Sequence, residues 1–150
     1  LVLEGLRLAG QRGILVAGWS ELGRVPSLPD DVFVIEAIPH DWLFPQVAAV
    51  VHHGGMGTTA ATFRAGIPSV IVPFAFDQPF WGWRVQELGV GPPPIPPKRL
   101  TAQRLAEAIK KAVYDEGIRK RAAALGRRIR AEDGVARAVE LFQKYVIRNT

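Results

Sequence analysis

The stretch Val50-Val51-His52-His53-Gly54-Gly55-Met56-Gly57-Thr58-Thr59 limits the fold more than any other part of the chain. The apolar run from Ala48 to Val51 reads as a buried strand. Three glycines follow within four positions, then two threonines and the helix-forming Ala60-Ala61-Thr62-Phe63-Arg64-Ala65. A strand that stops in a glycine-rich turn and restarts as a helix leaves the first N–H groups of that helix unpaired. Those donors and the helix dipole make a seat for an anion, phosphate above all. The glycines let a ligand approach the backbone closely. Thr58 adds a hydroxyl and His53 a ring N–H.

The same pattern also serves as a plain connecting turn in α/β domains, with its histidines packed or capping. The spacing matches neither a Walker loop nor the GxGxxG fingerprint, and no Lys follows the glycines. A kinase or ATPase reading is therefore poor. His-Gly-Gly is shared with the oxyanion loop of some lipases. The nearest nucleophile turn, Gly18-Trp19-Ser20-Glu21-Leu22, lacks the second glycine of G-x-S-x-G.

The flanking segments alternate between strand and helix patterns. Leu1 to Leu8 read as a short amphipathic helix ending near Gly10. Ile14–Ala17 and Val32–Ile35 are short continuous apolar runs, hence buried strands. Between them lies the breaker-rich loop Gly23–Asp30. Asp41 is placed to cap a helical turn. The glycine turn should open a helix from about Thr58 to Ala65, stopped by Gly66. Ser69–Pro73 reads as another buried strand, and a helix follows from about Pro79 to Leu88. The proline-rich segment Gly91–Pro97 cannot be helical and reads as an extended stretch crossing the surface. Thr101 should cap a helix from Ala102 to Tyr114 that buries Leu105, Ala108, Ile109 and Ala112. Gly117 and Gly134 punctuate two further helices.

Buried strands alternating with helices predict a Rossmann-like parallel sheet covered on both faces. Ligands bind such sheets outside the carboxyl ends of the strands. Trp19-Ser20, Ile38-Pro39-His40, His53–Thr58 and Asp77-Gln78 all fall there. The chain's 150 residues suffice for one domain, and its 48% apolar content makes it globular. It has no cysteine, which removes disulfides and thiolate metal sites and fits a reducing, cytoplasmic setting. No apolar run is long enough to span a membrane. Residues 1–97 carry a net charge of −3 and residues 98–150 a net charge of +8. That basic third suits nucleic acid, anionic lipid or an acidic partner. The cations sit among alanines at helical spacing, however, without aromatics to stack bases, so a solvated helical face is favoured over nucleic-acid binding.

Taken together, the candidates suit a nucleotide-diphosphate sugar. The glycine turn with His53 and Thr58 suits a diphosphate. Asp77 and Gln78 suit vicinal hydroxyls, since a carboxylate accepts and an amide both donates and accepts. The loop from Ile38 to His40 can present backbone groups to a base edge.

At these residues the chain resembles the UDP-sugar glycosyltransferases of two-domain GT-B architecture, and most of all their sterol 3-beta-glucosyltransferase branch. The likeness runs from about Arg12 to Ala138. It is densest in Pro39-His40-Asp41-Trp42-Leu43-Phe44, in His52–Thr59, in Val72-Pro73-Phe74 with Asp77-Gln78-Pro79-Phe80-Trp81-Gly82, and in Gly89-Val90-Gly91-Pro92-Pro93-Pro94-Ile95-Pro96. The resemblance implies that His53, Gly55, Met56, Gly57 and Thr58 bind the donor diphosphate. It implies that Asp77 and Gln78 hold the glucose hydroxyls, and that Ile38 and His40 lie beside the uridine. His52, by contrast, reads as a packed or structural residue, and Trp42, Trp81 and Trp83 as core or domain-interface residues. Two departures stand out. The plant enzymes stack uracil on a Trp that is absent around Ile35–Ala37, and they carry Asn-Ser where this chain has Gly57-Thr58.

The resemblance further implies inverting transfer of glucose from UDP-glucose to a sterol or other lipophilic hydroxyl, without a metal or other cofactor. This chain would be the donor-binding C-terminal half. The general base and the acceptor pocket would belong to an N-terminal domain, and peripheral contact with a membrane would fit a lipid acceptor. A non-catalytic nucleotide-sugar-binding module, or an enzyme of the same fold with another donor or acceptor, remains the alternative. The chain reads as a piece of something longer, starting after the first, central strand of the donor domain. Two expectations follow: these residues alone are inactive, and the slot for the missing strand lies between Ile14–Ala17 and Ala48–Val51.

Overall fold

The computed structural model describes residues 1–17 and 28–148. The elements run α1 (Val2–Ala9), β1 (Gly13–Val16), β2 (Val32–Ile35), α2 (His40–Leu43), β3 (Val50–His52), α3 (Met56–Ala65), β4 (Ser69–Ile71), α4 (Gln78–Glu87), α5 (Ala102–Tyr114), α6 (Glu116–Ala131) and α7 (Gly134–Arg148). Trp19, Ser20 and most of the Gly23–Asp30 loop lie outside the described residues.

All strand pairing among the described residues is parallel, as expected, but it forms two short sheets. β1 pairs with β2, bringing Leu15 opposite Val34, and β3 pairs with β4, bringing Val51 opposite Val70. β1 and β3 are not paired with each other. Direct pairing of the two, which would exclude a strand between them, is thus not seen among the described residues. The expectation that these strands are buried is corrected by their side-chain exposure. Ile14 is 44% exposed, Val16 40%, Phe33 63% and Val51 44% among the described residues.

β4 shows what full burial looks like. Successive side chains of a strand point to opposite faces. Val70 and Val72 enter one cluster with Ala9, Leu105, Ile109 and Ala112 from α1 and α5. Ile71 enters the other, with Phe63 from α3, Val85 from α4, Val90, and Ala122 from α6. The helix face of Leu105, Ala108, Ile109 and Ala112 is buried as expected, and Thr101 Oγ1 accepts the N–H of Arg104 at 3.2 Å as its cap. Gly10 and Gly66 close α1 and α3 in the left-handed conformation.

Three local expectations are corrected. Asp41 does not cap its turn: Pro39 stands at that position, and Asp41 Oδ1 instead accepts the N–H of Trp42. Gly117 is no break but lies within the first turn of α6, which Asp115 caps through the N–H of Ile118. The proline-rich stretch does not simply cross the surface. Ile95 is buried, and its N–H donates to the Ile71 carbonyl at 2.9 Å, so the segment is fastened to β4. Its end, Pro97–Arg99, forms a 3-10 turn.

Candidate functional site

The glycine turn lies between β3 and α3. Helix α3 begins at Met56, two residues before the sequence pattern suggests, with Gly55 at its cap position. Gly55 has no side chain to cap with, and the first turn carries no acidic residue. The N–H groups of Met56, Gly57 and Thr58 thus precede the first bond of the helix, which runs from Thr59 N–H to the Gly55 carbonyl at 3.0 Å. Met56 and Gly57 are exposed and Thr58 is half-buried. A Cβ built on Gly57 would meet nothing within 4 Å. The helix start is therefore open, uncapped and positive, which is what an anion requires.

His53 is exposed and lies over that helix start. A Cβ on Gly55 would stand 2.5 Å from His53 Nε2, so only glycine lets the imidazole lie there. Gly54 has a φ of 90°, a conformation open to glycine. It is pressed against the neighbouring loop, since a Cβ there would be 2.8 Å from Ile71 Cγ2 and 3.1 Å from the Gln78 carbonyl oxygen. That contact brings the glycine turn and the Asp77-Gln78 segment together.

Asp77 is exposed and Gln78 half-buried at the start of α4. Asp77 stands at the cap position but makes no capping bond. Its Oδ2 accepts the Trp81 indole N–H at 2.9 Å, which fixes the carboxylate and leaves Oδ1 for a ligand. Gln78 Oε1 accepts the N–H groups of Phe74 at 2.7 Å and Ala75 at 3.1 Å. Its amide NH2 therefore remains to donate. Asp77 is thus left to accept and Gln78 to donate. Phe76, just before them, holds a φ of 55° that a side chain rarely adopts.

Ile38 and His40 are both half-buried. His40 stacks on Phe44 with ring centres 4.5 Å apart and 13° between planes. His52 is held neutral, its pKa pushed down to about 4 chiefly by burial, then by the positive charges that His53 and His40 can carry. The rings of His52 and His53 stand 6.4 Å apart between centres.

A buried chain of hydroxyls supports the turn, and the sequence analysis did not find it. Ser69 Oγ donates to Thr62 Oγ1 at 2.9 Å, Thr62 Oγ1 to the Thr59 carbonyl at 2.8 Å, and Thr59 Oγ1 to the Gly55 carbonyl at 2.9 Å. All three residues are fully buried. The available signal was the spacing of Thr59 and Thr62, which puts two hydroxyls on one face of α3. Each donor has an acceptor, so the chain ties the base of β4 to the cap of α3 without an unpaired polar group.

This arrangement of parallel strands between helices, with a glycine turn at the carboxyl end of β3, matches solved GT-B glycosyltransferase C-terminal domains. The calicheamicin glycosyltransferase superposes with a TM-score of 0.85 at 26% identity, over 99% of this chain and 40% of that one. The glycotransferase of kitacinnamycin gives 0.80 at 27% identity, over 94% and 38%. The glycosyltransferase VinC, solved in complex with dTDP, shares the fold at a TM-score of 0.82 and 22% identity, over 97% and 37%. Residues 13–140 match the family described as erythromycin biosynthesis protein CIII-like, C-terminal domain, and the chain belongs to that family. A sterol 3-beta-glucosyltransferase of Arabidopsis thaliana is 46% identical over 146 residues, 97% of this chain and 23% of the relative. The sterol 3-beta-glucosyltransferase of Aspergillus clavatus is 47% identical over 150 residues, 95% of this chain and 10% of the relative. The chain thus spans about a quarter of the plant relative and a tenth of the fungal one.

Proposed function

We propose that residues 1–150 form the donor-binding domain of an inverting glucosyltransferase that uses UDP-glucose and acts on a sterol or another lipophilic hydroxyl. The observation that carries this reading is the uncapped start of α3, with His53 over Gly55 and Gln78 against Gly54. The N–H groups of Met56, Gly57 and Thr58 would receive the diphosphate together with Gly55 and His53. As the sugar leaves, charge grows on the diphosphate, and these preorganised donors would stabilise it. The reaction then needs no metal for that task. Asp77 Oδ1 would accept from one glucose hydroxyl while the Gln78 amide donates to another. Ile38 and His40 would flank the uridine.

The similarity to sterol 3-beta-glucosyltransferases over nearly the whole chain supports the choice of donor and acceptor. The general base and acceptor pocket would come from the rest of such an enzyme. The apolar residues exposed on β1, β3 and α7, Phe142 among them, would pack against it. No helix among the described residues is long and apolar enough to cross a membrane. A cytoplasmic enzyme touching the membrane peripherally fits a lipophilic acceptor. Calorimetry with UDP, UDP-glucose and dTDP-glucose tests the reading. Saturable binding, preferring UDP-glucose and weakened in His53→Ala and Asp77→Ala, is expected. Failure of a folded chain to bind any of the three would refute it.

A further inference from the structure

His52 has no role in the site as described so far, yet its ring is arranged in an unusual way. The Gly54 N–H donates to His52 Nδ1 at 3.1 Å. Nδ1 is therefore an acceptor, and the proton of the neutral ring must sit on Nε2. That Nε2 is buried and has no hydrogen-bond partner among the described residues. A buried donor without an acceptor is costly. A ring kept only for packing would avoid that cost by being apolar. What an apolar ring cannot do is accept the N–H of Gly54.

Gly54 is where that bond matters. Its φ of 90° turns the chain from the end of β3 toward the start of α3. Its Cα is confined by Ile71 and by the Gln78 backbone, so the peptide can be held but has little room to shift. The next residue is Gly55, the cap position under His53. The His53 and His52 rings stand at 84° to each other with centres 6.4 Å apart.

We infer that His52 is a positioning residue of the donor site: its Nδ1 latches the Gly54 N–H, and so aims the α3 N–H groups and the His53 ring at the diphosphate. The latch belongs to the turn itself; its effect on donor binding rests on the reading that the diphosphate sits there. The hydroxyl chain from Ser69 to Gly55 holds the same turn from the helix side, and His52 holds it from the strand side. Protonation of Nδ1 would undo the latch, and burial keeps the ring neutral against it.

The test compares the wild-type chain with His52→Phe, which keeps a ring but has no acceptor, and with His52→Asn, whose Oδ1 can stand where Nδ1 stands. Two readouts are taken on chains shown to be folded: hydrogen exchange of the Gly54 amide without ligand, and calorimetric affinity for UDP. Loss of one such hydrogen bond predicts about tenfold faster exchange and about tenfold weaker UDP binding in His52→Phe. Both should recover in His52→Asn. If His52→Phe fails to fold, His52→Leu takes its place. Equal Gly54 exchange in all variants would overturn the latch. Altered exchange with unchanged UDP affinity would overturn its role in the site. Absence of UDP binding in the wild type would refute the donor reading, and the exchange data would still decide the latch.

Discussion

Acid should destabilise this fold through His52. The ring titrates at 6.5 in an unfolded chain and at about 4 in the folded one, because burial and the neighbouring His53 and His40 disfavour its charge. Above pH 6.5 the ring is neutral in both states and adds no pH dependence. Below that, the unfolded chain takes up a proton that the folded chain refuses until about pH 4, so stability falls across this window. The difference amounts to at most about 3 kcal/mol, a large part of a typical domain's stability of about 5–15 kcal/mol. Urea unfolding at steps from pH 7.5 to pH 4 measures it, comparing wild type with His52→Asn. The variant keeps His40 and His53 but has nothing to titrate at position 52. The wild type should lose more stability than the variant, and most of the excess should appear between pH 6.5 and pH 4. Parallel curves for the two chains would refute the assignment of a buried, neutral imidazole.

Two further substitutions probe the turn and its neighbour. Thr62→Val keeps the shape of the side chain but removes the acceptor of Ser69 Oγ and the donor to the Thr59 carbonyl, both fully buried. It should cost about 1–3 kcal/mol in urea unfolding, and unchanged stability would mean that the hydroxyl chain carries no strain-free bond worth keeping. Phe76→Gly relieves a φ of 55° on a side chain that is 95% exposed. The left-handed conformation costs about 1–2 kcal/mol for a residue with a Cβ, and glycine's freedom in the unfolded chain takes back about 0.4–1 kcal/mol. A net gain of about 0.5–1 kcal/mol in thermal unfolding is expected, and a loss would assign the ring a packing role.

Much of the fold is legible because local chemistry and burial agree. Val32–Ile35 is a strand with the expected bounds, Thr101 caps α5, and Gly66 ends α3. Burial of β1 and β3 was not legible, because an apolar run says what a strand can bury and not what is present to cover it. Ile95 was hidden among prolines, although its single N–H is what fastens that segment to β4. At the site, the residue types were readable but their division of labour was not. Whether Gln78 donates or accepts depends on the Phe74 and Ala75 N–H groups, and the direction of Asp77 depends on an indole one helical turn away. His52 reads as a packed or structural residue, but its bond to a backbone N–H two residues on is visible only in the folded turn.

The central claim is that the start of α3 is the diphosphate seat of a sugar donor. A crystal structure of the chain with UDP tests it most directly. The β-phosphate should lie within hydrogen-bond distance of the N–H groups of Met56, Gly57 and Thr58, with the His53 ring beside it. A UDP bound elsewhere, for instance in the basic groove of Arg99, Arg104 and Lys111 against the prolines, with the start of α3 left empty, would contradict it.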